Sequence, residues 1–117
     1  MTSHVFVYGT LMPGQCRWPT LAMWADGPPE PDSVDGELFD TGFGYPAAVV
    51  GPSGRIPGFT VALSPQSLPE ALAVLDGIEG TGHGLYQRIS IVTEGGTPAW
   101  IYTWPTSAAG FTRITEW

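Results

Sequence analysis

The sequence predicts an α+β domain: a small mixed, largely antiparallel β-barrel with one main helix and short helical turns. Three observations point there. Twelve prolines and sixteen glycines in 117 residues leave little room for long helices and favour short strands joined by tight turns. About six stretches alternate, or run apolar, over strand lengths. One segment carries a sustained helical repeat, and strands cluster on both sides of it.

Taken in order, His4-Val5-Phe6-Val7 is a short apolar run that reads as a buried first strand. It stops at Tyr8-Gly9-Thr10-Leu11, where Gly9 lets the backbone leave the sheet in a tight turn. Met12-Pro13-Gly14-Gln15 continues as a loop. Arg17 to Trp24 fits a short helix that Pro19 limits to one or two turns. Gly27-Pro28-Pro29-Glu30-Pro31 is a rigid connector. Ser33 to Phe39 alternates as a strand, broken by Gly42-Phe43-Gly44-Tyr45-Pro46. Ala47 to Val50 and Gly58 to Leu63 are two further strands, separated by the turn Gly51-Pro52-Ser53-Gly54.

The main helix follows. Ser64 before Pro65 gives an N-cap and first-turn arrangement suited to a helix start. Leu68, Leu72 and Leu75 recur on one face, widened by Ala71 and Ile78. Pro69 falls early enough for its missing N–H to cost little. Gly80, Gly82 and Gly84 punctuate the next loop, whose composition is that of a mobile lid or of a loop that simply tolerates glycine. Tyr86 to Thr93 then alternates as a strand. Glu94-Gly95-Gly96-Thr97 is a hairpin signal, and Ala99 to Trp104 is the return strand. Little chain follows it, which leaves one side of any cavity uncovered.

Residues 1–117 have the length of a single domain with one core. The net charge is −7, and the four basic residues are all arginines, Arg17, Arg55, Arg88 and Arg113. No basic footprint exists for a nucleic acid or an anionic membrane surface. Any anionic ligand must be held by main-chain amides or by one placed arginine. Cys16 is alone, which excludes an intramolecular disulfide, and it reads as a small, at least half-buried residue. His4 and His83 have no metal-ligand spacing, so no metal is expected, and His83 reads as a solvent-exposed loop residue. The start has no basic n-region or long apolar h-region, which makes the cytoplasm the expected location. A monomer or weak homodimer is the expected state.

Two segments carry chemistry. After the Gly9 turn, Thr10 and Leu11 present amide N–H groups that no ladder satisfies. Such groups at the mouth of a sheet make a cradle for a carboxylate or phosphate; an ordinary strand end has the same sequence. Far downstream, Leu75-Asp76-Gly77-Ile78-Glu79-Gly80 places two acids at a helix C-terminus, where the macrodipole disfavours them. They are either solvated acids at a fraying end or a functional site. Between Ile78 and Gly80, Glu79 can be desolvated, which raises a carboxyl pKa toward neutrality and suits it to take and return a proton. Asp76 is better suited to capping or turn hydrogen bonds with local backbone.

The Val-Phe-Val-Tyr-Gly-Thr-Leu start, the Leu-Asp-Gly-Ile-Glu-Gly helix end and Leu85-Tyr86-Gln87-Arg88 resemble the gamma-glutamylcyclotransferase-like family, which includes gamma-glutamylamine cyclotransferases and AIG2-like proteins. The resemblance runs from residue 5 to about residue 103 in the expected order, with Gly44-Tyr45-Pro46-Ala47 between the two motifs. It implies a small mixed barrel and a cofactor-independent reaction on a small-molecule gamma-glutamyl substrate. In that reaction the substrate's alpha-amine attacks its own gamma-carbonyl, releasing an amine and 5-oxoproline. Glu79 matches the family's catalytic glutamate. Tyr8, Gly9, Thr10 and Leu11 match the loop that holds the glutamyl group.

Tyr86 either points its hydroxyl into the same cavity as a substrate-binding group or is a core aromatic. Arg88 suits a structural ion pair. Tyr45-Pro46 shapes a turn or lines the pocket. Met12-Pro13 departs from the polar or basic residues expected after the loop, which bears on contact with the leaving amine. The acidic chain leans toward a cationic leaving amine. The alternative function is a non-catalytic ligand-binding or interaction module on the same fold.

Overall fold

Alternation within the first strand decides where the two halves of the core lie. The computed structural model describes residues 2–117. Strand β1 (His4–Val7) sends Val5 and Val7 to one face and Phe6, with the following Tyr8, to the other. Val5 and Val7 pack with Leu21, Leu63, Leu68, Ala71 and Leu75, the side covered by helices. Phe6 and Tyr8 pack with Val34, Leu38, Ala48, Ile56, Ala99 and Ile101, all from strands.

The remaining strands are β2 (Glu30–Asp40), β3 (Pro46–Ala62), β4 (Gln87–Val92), β5 (Pro98–Thr103) and β6 (Thr112–Ile114). The helices are α1 (Trp18–Ala22) and α2 (Leu68–Ile78). All six strands form one sheet of order β4-β5-β1-β3-β2-β6. Every pairing is antiparallel except β1 with β5, which is parallel through Val5 and Trp100. The α+β, mixed and largely antiparallel fold expected from the sequence is what forms. Its closure differs: β4 and β6 end the sheet as separate edges, so it curls into a half-barrel rather than a closed barrel.

Three strand boundaries also differ. The two strands expected across Gly51-Pro52-Ser53-Gly54 are one strand, β3. Asp35 faces Arg55 and Gly36 faces Val50, so residues 51–54 bulge outward without reversing the chain. β2 starts at Glu30, inside the expected connector, where Glu30 and Pro31 face Thr60 and Phe59. The other side of that stretch has no partner strand, because β6 pairs only with Leu38 to Asp40; Pro31 therefore sits on an edge, where its missing N–H is harmless. β6 itself was not expected: it is three residues long, and exposed Thr112 and Arg113 give it no apolar alternation.

The main helix has the expected face. Leu68, Ala71 and Leu75 are buried, and each such leucine contributes about 1.5–3 kcal/mol through burial. Its start differs, because Pro65–Ser67 form a 3-10 turn and Ser64 makes no side-chain cap to the backbone. Pro69 lies in the first turn of α2, as expected. The glycine-rich loop has local structure of its own. Gly80 and Gly84 adopt φ of 66° and 74° and frame a 3-10 turn, Thr81–His83, closed by Leu85 N–H donating to Gly80 O at 3.1 Å. Cys16 is exposed rather than buried, and His83 is exposed as expected. Among the described residues, no helix is long and apolar enough to cross a membrane.

Candidate active site

The turn leaving β1 and the C-terminal end of α2 meet at one cleft. Its walls are Phe6 to Leu11, Pro46, Glu79, Tyr86 and Tyr102, and they enclose about 20 Å³, partly open to solvent. Tyr8, Gly9, Thr10, Leu11, Glu79 and Tyr86, singled out in the sequence from segments far apart, all border it. Tyr102 and Phe6, which also border it, were not singled out, nor was Arg17, whose charge acts on Glu79 from outside the lining. Tyr102 looks like any aromatic on an alternating strand, and nothing local marks Arg17 as a neighbour of Glu79.

In the turn, Gly9 O accepts Met12 N–H at 3.0 Å and Thr10 O accepts Arg17 N–H at 2.9 Å. The amides of Thr10 and Leu11 have no acceptor among the described residues, so they remain free as donors at the cleft. The need for glycine at position 9 differs from the expected one. A Cβ there would lie 2.6 Å from Pro46 Cγ and 2.8 Å from Pro46 Cδ, so close packing on Pro46 excludes a side chain. Pro46 in turn accepts the hydroxyl of Tyr86 on its carbonyl. The Tyr86 hydroxyl is thus committed to the protein as a donor, and only its lone pairs face a ligand. Its ring packs edge-on against Tyr45 and Trp104, with centroids at 6.1 and 5.4 Å. Trp104 meets Phe111 edge-on as well, at 5.5 Å between centroids, so chain beyond β5 packs behind Tyr86 without lining the cleft, which stays partly open to solvent.

Glu79 ends α2, its N–H donating to Leu75 O at 2.9 Å. It is 7% exposed, and no hydrogen-bond donor among the described residues reaches its carboxyl group. Burial raises its pKa to about 7, against a smaller lowering by the Arg17 charge. Tyr8, Tyr86 and Tyr102 are pushed the same way, well above ordinary phenol values, first of all by burial. These three phenols stay protonated at any working pH. Among the described residues lining the cleft, Glu79 is therefore the group that changes protonation near neutrality.

Asp76 does not cap local backbone as expected. It bridges to the sheet: Arg88 Nε donates to Oδ1 at 2.8 Å, Arg88 Nη2 to Oδ2 at 3.2 Å, and the Tyr102 hydroxyl to Oδ1 at 2.7 Å. The Arg88 guanidinium also lies 4.5 Å from the Trp100 ring centroid, a cation–π contact. The structural ion pair expected of Arg88 is thus with Asp76, not Glu79. Tyr102 O accepts the Tyr8 hydroxyl, tying this network to the start of the turn. No group of three or more His, Cys, Asp or Glu side chains able to hold a metal occurs among the described residues.

The fold recurs in solved structures. The chain is similar to PH0828 from Pyrococcus horikoshii, at 24% identity and a TM-score of 0.74, covering 97% of this chain and 86% of that one. It is similar to an AIG2-like protein from Mus musculus at 20% identity and a TM-score of 0.75, covering 98% and 87%. YtfP from Escherichia coli is 29% identical with a TM-score of 0.63, over 97% and 92% of the two chains. No curated protein matches the chain. The family model described as gamma-glutamyl cyclotransferase, AIG2-like, matches residues 5–117, and with all but the first four residues inside that match the chain belongs to this family.

Proposed function

We propose that the protein is a gamma-glutamyl cyclotransferase that converts a gamma-glutamyl amine to 5-oxoproline and the free amine. The observation that carries this reading is the placement of a buried, unpartnered Glu79, with a pKa of about 7, on the same cleft as the free amides of Thr10 and Leu11. The amides receive the alpha-carboxylate of the glutamyl group. Held there, the substrate folds so that its alpha-amine nitrogen attacks its own gamma-carbonyl carbon. The new C–N bond closes the five-membered ring while the C–N bond to the leaving amine breaks. Glu79 as carboxylate takes the proton released by the attacking nitrogen and returns it to the departing one, ending as it began. Orientation supplies much of the acceleration, because nucleophile and electrophile belong to one molecule. Tyr8, Tyr86 and Tyr102 shape the cleft.

The test is release of 5-oxoproline from a panel of gamma-glutamyl amines, amino acids and peptides, for wild type and Glu79→Gln. Turnover on at least one member that is lost in the variant supports the reading. Ligand binding without turnover, unchanged in Glu79→Gln, would leave a binding module instead.

A further inference from the structure

Of the four guanidinium groups, three are engaged by side chains away from the cleft: Arg88 by Asp76, Arg113 by Glu37 at 3.2 Å, and Arg55 through its Nε by Ser33 Oγ at 3.1 Å. Arg17 differs. Its side chain reaches across to α2, where Nη1 donates to Ile78 O at 3.1 Å, the carbonyl immediately before Glu79. Its own main-chain N–H donates to Thr10 O at 2.9 Å, inside the amide-bearing turn. One exposed residue therefore holds the turn with its backbone and the acid's helix end with its side chain.

We propose that Arg17 is a positioning residue for this site, fixing the end of α2 against the Tyr8–Leu11 turn and setting the charge state of Glu79. The proposal rests on the cyclotransferase reading only for its activity arm. A guanidinium at a helix C-terminus is favoured by the exposed carbonyls and the negative end of the macrodipole. That alone would be a structural cap. What goes further is the company Glu79 keeps. From β1 and its turn it faces Tyr8, from the segment before β4 Tyr86, and from β5 Tyr102, all neutral phenols. On its own helix Asp76 is already neutralised by Arg88. Arg17 is the cation left to favour the ionised carboxylate, and it acts on the same residue that burial pushes toward the protonated form. Without it the acid would spend more of the neutral range protonated and unable to accept a proton.

The experiment compares wild type, Arg17→Lys and Arg17→Gln in two ways. Carboxyl carbon NMR of protein labelled at glutamate, with the Glu79 resonance assigned by its loss in Glu79→Gln, reads the charge state without any substrate. We expect the Glu79 midpoint to rise by about half a pH unit or more in Arg17→Gln and by less in Arg17→Lys, which keeps the charge. The second arm is the pH profile of kcat/KM for 5-oxoproline release, whose acidic limb should move upward in step. An unchanged midpoint in Arg17→Gln overturns the proposal, as does an activity loss equal at every pH. If wild type turns over no substrate, the cyclotransferase reading fails and the NMR midpoint alone decides the role of Arg17.

Discussion

Asp76 and Glu79 lie on successive turns at the end of one helix, yet one is fully engaged and the other has no donor. Asp76 takes two bonds from Arg88 and one from Tyr102, whereas Glu79 sits buried among phenols. The engaged acid fastens α2 to the sheet. The isolated one is left able to titrate.

Activity should follow the ionised form of Glu79. With a pKa of about 7, kcat/KM for 5-oxoproline release should climb through neutrality and level off above it. Glu79→Gln should lower it by about 10²- to 10⁴-fold, the usual contribution of a positioned acid–base group. A pH-independent rate between pH 6 and 8 in wild type, conditions spanning about one unit either side of that pKa, would count against Glu79 as the proton carrier.

Stability should move the other way. The folded-state pKa of about 7 lies above the ordinary value of 4.5, so the folded protein binds more protons between those values and loses stability as pH rises through that window. Below about pH 4.5 the carboxyl costs nothing, and above about pH 7 it costs up to about 3 kcal/mol. Glu79→Gln should therefore unfold at higher urea than wild type at pH 8 and at nearly equal urea at pH 4.5. Equal stabilities at pH 8 would show that the carboxylate is better solvated than its burial implies.

Arg88→Met should destabilise by about 1–2 kcal/mol, because it leaves Asp76 with one donor in a half-buried setting. Adding Asp76→Asn should restore part of that loss, a coupling read from a double-mutant cycle in urea. Additive costs would mean that the pair is merely a solvated contact.

Gly9→Ala should act at the site through Pro46. The new methyl would stand within 3 Å of the proline ring, and relief requires Pro46 and the Tyr86 hydroxyl on its carbonyl to shift. We expect about 1–3 kcal/mol lost in thermal unfolding and a fall in kcat/KM, with the Tyr86 ring resonances moved. Wild-type stability together with wild-type turnover would refute the close packing.

Much of this architecture was legible because it is local. The helix showed in Leu68, Ala71 and Leu75, the central strand in Val5-Phe6-Val7, and the hairpin in Glu94 to Thr97. Of the two cleft-forming segments, the helix end stood out by its acids at the negative end of the dipole, whereas the Tyr8–Leu11 turn read as an ordinary strand end until paired with it. What was illegible is what depends on pairing at a distance. β6 exists only because β2 offers Leu38 to Asp40 an open side, and the continuity of β3 through its bulge is set by β2 opposite. Asp76 was misread as a local cap because its partners, Arg88 and Tyr102, come from strands later in the chain. Tyr102 reaches the cleft, and Arg17 the end of α2, by the same long-range folding.

The parallel seam between β1 and β5 also governs when the site can exist. Tyr8 and Tyr102, joined by hydroxyl and carbonyl, are 94 positions apart in the chain. A nascent polypeptide can form the β2–β3 hairpin early, since its partners are close in sequence. The central strand gains its second neighbour only after β5 has been made. Closing so long a loop costs chain entropy before any contact repays it, which makes this pairing a late step. The cleft is consequently one of the last features to assemble, and a chain stopped before β5 would carry Glu79 without the wall that Tyr102 supplies.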